Sequence, residues 1–197
     1  MYKKQLRFQN IVCLFAVIMA AIFFIYSLGM LTDIHDALKI GVRNIEKPER
    51  DRFDGCRLFY DMQPFNKQFN TYSVYLILLA CLLFVMNTHN HRKYYIGNYV
   101  AIGAYSAGAI ALTVWSHGQI EYFKHQFLTT VDFEGMAEVA ETFDTLYLDN
   151  TKLLDLHYAV GALAILSVVA LIANTVWKIV LMKNEKALIK EGEEAAV

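Results

Sequence analysis

The chain has 197 residues, of which 56% are hydrophobic and 19% charged, with a net charge of −1. Soluble domains average ~45–50% apolar and ~25% charged residues, and the apolar residues here gather in four blocks, so a catalytic domain of ~100 residues or more has nowhere to fit. The near-neutral balance also lacks the basic face that a nucleic-acid binder needs.

Met1 to Arg7 is short and basic, with Lys3, Lys4 and Arg7. The uncharged run that follows is longer than the ~7–15 residues of a signal-peptide core. A bilayer-crossing helix needs ~20 apolar residues, and a first span is expected over 8–30. Tyr26 falls near its far end, where an interfacial aromatic sits.

Residues 32–69 read as a first long loop, in which acidic and basic side chains balance. Pro64 biases Gln63 away from helical geometry. The loop is far longer than the ~4–6 residues of a simple connector, so it should be partly structured or bind something. A second span is expected over 70–88, with a re-entrant hairpin as the alternative. The HNHRK turn, His89 to Lys93, is tight and basic.

The third span, 94–116, carries no charged side chain and is rich in small residues. Gly97 and Ala101 lie four apart, as do Ala104 and Gly108, and Ala107 and Ala111. Such pairs let backbones approach closely in lipid, so this face is expected to pack helices or a partner subunit. Residues 118–155 form a second long loop with an acidic excess, eight acidic side chains against two basic. A short amphipathic helix is expected over 136–146. The fourth span, 156–182, has Ser167 and Asn174 as polar members and ends on Trp177 and Lys178 as interfacial anchors. Residues 184–197 read as a fraying tail.

These elements predict an all-α integral membrane protein, a four-transmembrane-helix bundle forming one domain over 1–183. The short basic segments share one side, which the positive-inside rule places in the cytoplasm. Both termini are then inside, and two structured extracytoplasmic loops lie outside the plasma membrane.

No GxGxxG, P-loop, CxxC or GxSxG occurs, so nucleotide, thiol-redox and serine-nucleophile chemistry lack their usual marks. The four blocks show no Asp, Glu, Lys or Arg in their interior, which argues against an autonomous transporter. Cys13 and Cys81 lie in apolar blocks and Cys56 in a long loop, so no disulfide framework is expected within the chain.

His35, His117 and His157 each lie near the outer end of a span and could meet at similar depth. Two imidazoles on facing helices are what haem b or a metal ion would use. His117, Glu121 and His125 also recur at four-residue spacing, so neighbouring members share a face if the third helix continues past Gly118. Solvated interfacial histidines are the plain alternative. The loops are rich in aromatics, among them Phe59, Tyr60, Phe65, Phe127, Phe133 and Phe143. These would either build a small core over the bundle or present a docking face.

The layout resembles the claudin and related tetraspan architecture in topology alone. The tryptophan-containing first-loop signature with paired cysteines is missing, since Cys56 stands alone, and no residue is carried over. The expected function is a non-catalytic accessory subunit of a larger membrane complex, such as a transporter, docking a membrane subunit or an extracytoplasmic binding protein. A haem- or metal-binding redox protein and a claudin-like adhesion or scaffold protein are the alternatives.

Overall fold

The computed structural model describes residues 2–43, 53–89, 96–142 and 149–194. Seven helices and no strand occur among them: α1 (Tyr2–Gly29), α2 (Thr32–Arg43), α3 (Leu58–Asp61), α4 (Gln63–His89), α5 (Ile96–Thr130), α6 (Phe133–Thr142) and α7 (Lys152–Glu194). Four helical stretches are long and apolar enough to cross a membrane: Lys3–Leu38, Leu58–Thr88, Ile96–Thr130 and Lys152–Ile189.

The helices run further than hydropathy suggests. α5 passes Ser116 and continues to Thr130, through a stretch expected to be loop. Ile120, Phe123 and Phe127 are buried at helical spacing, so core contacts carry the helix beyond the uncharged run. α4 begins at Gln63, and Pro64 does not break it. Proline is tolerated in a first turn because its missing N–H would have no helical partner there. The short helix of the second loop starts at Phe133, earlier than expected. Phe143 lies outside the described residues.

The chain divides into two compact units. Unit 1 comprises 1–21, 75–111 and 162–197. Alanines recur in its interior beside Met19, Leu83 and Leu171: Ala16 and Ala20 of α1, Ala80 of α4, Ala101 and Ala109 of α5, and Ala164 of α7 are all buried. Large apolar side chains such as Ile11, Leu14, Leu78, Leu82, Val100 and Leu166 point outward. Alanines at the helix contacts, with large apolar side chains also turned outward, suit lipid, where close backbone packing replaces the hydrophobic effect. Tyr105 is the largest fully buried side chain, and its hydroxyl lies 3.2 Å from the Ala16 carbonyl oxygen and 3.0 Å from Ser167 Oγ.

Unit 2 comprises 22–74 and 112–161. Its core is aromatic. Phe65 lies 5.2 Å from Trp115 and 5.6 Å from Phe123 between ring centres, and Phe69 packs edge-on against Phe23 and Tyr26. α2 packs on α3 and α6. Gly55 turns the chain at φ +82°, and Asp132 N–H donates to the Asp54 carbonyl oxygen beside it. Asp132 in turn caps α6, its Oδ1 accepting from Gly135 N–H at 2.9 Å.

Candidate metal centre

α5 places His117 and Glu121 one turn apart on one face, and α7 brings His157 to them in its second turn. The ligand atoms of these three side chains all lie within 4.8 Å of one another. His117 Nδ1 is 2.8 Å from His157 Nε2, and Glu121 Oε1 is 3.4 Å from the same nitrogen.

The tautomer follows from the surroundings. His157 is 6% exposed, and its Nδ1 lies 2.6 Å from the Leu154 carbonyl oxygen, which can only accept. Nδ1 therefore carries the proton, and Nε2 presents a lone pair to His117 and Glu121. Metal-bound imidazoles commonly donate their second nitrogen to a backbone carbonyl in this way.

Neighbouring groups hold the trio in place. Tyr158 O–H donates to Glu121 Oε1 at 2.7 Å, and its ring centre lies 4.0 Å from that of His157. Lys124, one turn beyond the site on α5, pairs with Asp155 of α7, which also accepts from Thr151 Oγ1. Across unit 2, Asp33 Oδ2 accepts from the Leu153 backbone N–H at 2.7 Å, capping the start of α7.

A tetrahedral ion bonded at ~2.0–2.2 Å keeps neighbouring ligands roughly 3.4 Å apart, so the observed spacings bracket what a zinc-like ion requires. Two imidazoles and one carboxylate suit a borderline first-row divalent ion.

Of the three histidines singled out from the sequence, the structure joins His117 and His157. His35 instead lies 3.3 Å from Asp36 and packs its ring on Phe59. His125 is exposed and outside the cluster. Glu121 was visible only as part of a spacing pattern; Lys124 and Asp155 carry no sequence signal that separates them from a solvated loop, and Tyr158 none that separates it from the rest of the fourth span. Among the aromatics, Phe65 and Phe127 are taken up by the core, Phe59 and Phe133 are half-buried, and Tyr60 is exposed. On α5, Ala101 is buried, Gly97, Ala104 and Gly108 are half-buried, and Ala111 is exposed. A Cβ on Gly108 would stand 3.0 Å from Leu79 Cδ1, so that glycine serves packing within unit 1.

Comparison with protein-family models, curated proteins and solved structures gives no match to this chain.

Proposed function

We infer that this is an integral membrane protein that binds one divalent first-row transition metal ion through His117, Glu121 and His157. The observation that carries the reading is the three-residue cluster itself, with the buried His157 oriented by the Leu154 carbonyl. A carboxylate beside two imidazoles favours a bare ion over haem b, whose iron would take only axial ligands from the chain. The basic segments support an orientation with both termini in the cytoplasm of a plasma-membrane protein, which puts the metal centre near the outer face.

Metal analysis of the purified protein tests the reading. Wild-type chain equilibrated with Zn²⁺ or Co²⁺ and desalted is expected to retain one ion. His157→Ala and Glu121→Gln should each lower affinity by about tenfold or more, since each deletes a ligand. Retention by a His117→Ala/Glu121→Gln/His157→Ala variant equal to wild type would overturn it.

A second reading, the small subunit of a larger membrane assembly, is compatible with the first. It is supported by an outward stripe on α5 in which Gly103, Ala107 and Ala111 are exposed at four-residue spacing. A Cβ placed on Gly103 meets nothing within 4 Å. Leucine at Gly103 and Ala107 should displace a partner helix from this stripe without unfolding the chain. Blue-native gels of mild-detergent extracts check this, and a wild-type chain migrating alone counts against the reading.

A further inference from the structure

Unit 1 holds a second polar feature, independent of the histidine cluster. All four long helices contribute a carboxamide to it: Gln5 and Gln9 from α1, Asn87 from α4, Asn98 from α5 and Asn174 from α7. Each is 2% exposed or less. Gln5 Nε2 donates to Gln9 Oε1 at 3.2 Å and to Asn174 Oδ1 at 3.0 Å. Gln9 Nε2 donates to the Asn87 carbonyl oxygen at 2.6 Å. Asn87 Nδ2 donates to the carbonyl oxygens of Leu83, at 3.0 Å, and Asn98, at 3.4 Å.

Because Asn87 Nδ2 faces only carbonyl oxygens, and the Gln5 amide bridges two side-chain oxygens, the nitrogen and oxygen of both amides are placed by the network. What remains is specific. Gln5 Oε1, Asn87 Oδ1, Asn98 Oδ1 and Asn98 Nδ2 have no hydrogen-bond partner among the described residues. Orphaned groups of this kind are costly in any apolar interior and most of all within a membrane.

Lys178 adds a cation. It lies one turn beyond Asn174 on α7, is 5% exposed, and holds its Nζ 5.7 Å from the centre of the Tyr99 ring, next in sequence to Asn98. The stretches 1–21, 75–111 and 162–184 contain no Asp or Glu to balance it. The blocks thus do hide an ionisable side chain, contrary to the sequence expectation that placed Lys178 at the interface. A basic residue buried in a membrane span marks a site by default.

We propose that this cluster binds a phosphoethanolamine group, the headgroup of a membrane lipid. The donors and acceptors match in number and sign. A primary ammonium carries three N–H donors for the three orphan oxygens. The phosphate accepts from the Lys178 ammonium and from Asn98 Nδ2, setting a local negative charge against the buried cation. A purely anionic headgroup leaves the carboxamide oxygens unmet, and a choline group has charge but no N–H to give. The location agrees, since Gln5 and Asn98 lie in the opening turns of α1 and α5 and Asn87 in the last turn of α4. Headgroups sit at such span ends.

Native mass spectrometry of the full chain, titrated with phosphatidylethanolamine and its N-methyl, N,N-dimethyl and choline derivatives, tests the assignment on wild-type protein. One retained lipid is expected, with retention falling stepwise and at least tenfold across the series as N–H donors are lost. Equal retention across the series, or equal retention of phosphatidylglycerol, overturns it. Soluble phosphoethanolamine that displaces the lipid supports the same chemistry from a free source, whereas failure to displace it assigns the site to the lipid. Asn98→Leu removes both orphan atoms at similar volume. It should abolish the ethanolamine preference. If it raises thermal stability while the preference persists, the amide was only an unpaired polar group and the proposal fails.

Discussion

Gly55 shows how one residue can hold a turn. Its φ of +82° lies in the left-handed region, and a Cβ there would meet Val131 Cα at 2.6 Å, main chain that cannot swing aside. Gly55→Ala is expected to cost about 1–3 kcal/mol, combining left-handed strain with the clash, and thermal unfolding in detergent measures it. Its neighbour Cys56 is buried, and its thiol is pushed from 9.0 up to about 11, by burial first and then by the carboxylates of Asp132 and Asp54. The thiolate is the reactive form, so alkylation of Cys56 at pH 8 should be at least about tenfold slower than that of a free thiol. The folded state holds this proton more tightly than the unfolded chain. Its contribution to stability is therefore complete below pH 9 and declines as pH rises towards 11. Rapid labelling of the native protein would contradict this.

Among the elements, the start of α7 couples most directly to the candidate site. Asp33, 8% exposed on α2, reaches across 120 positions of chain to cap Leu153 N–H. The next residue, Leu154, supplies the carbonyl that orients His157. Asp33→Ala should free that amide, destabilising the helix start by about 1 kcal/mol. Without touching a ligand, it should weaken metal binding about tenfold, as loss of an orienting group typically does. Calorimetric titration with Zn²⁺ decides the matter, and unchanged affinity would show that the helix start holds its geometry without the cap. Hydrogen exchange at Leu153 should report the local opening directly.

For the whole molecule, the many large apolar side chains that point outward along the four long helices, with polar ones such as Ser167 and Asn174 turned inward, point to lipid as the solvent around the spans. The proposed orientation can be checked with single cysteines. On a background lacking Cys13, Cys56 and Cys81, Thr130→Cys at the end of α5 should react with a membrane-impermeant maleimide in intact cells. Lys186→Cys, in the last part of α7, should react only after permeabilisation. The opposite pattern inverts the topology and moves the histidine cluster to the inner face.

Hydropathy alone determined that four long apolar helices exist, because each is a continuous local property of ~20 residues. It misjudged the start of α4 and the end of α5, where Glu121 and Lys124 look like loop until their helix is seen to bury Ile120, Phe123 and Phe127. It also found His117 and His157, residue types that stand out near the ends of spans. Their meeting across 40 positions, with Glu121 in and His35 out, was decided by tertiary structure alone. So was the gathering of Gln5, Gln9, Asn87, Asn98 and Asn174, which are scattered over four helices at or near the ends of apolar runs. The rotation of a helix that is apolar all round leaves no periodic trace in its sequence, so only packing reveals which polar side chains turn inward together.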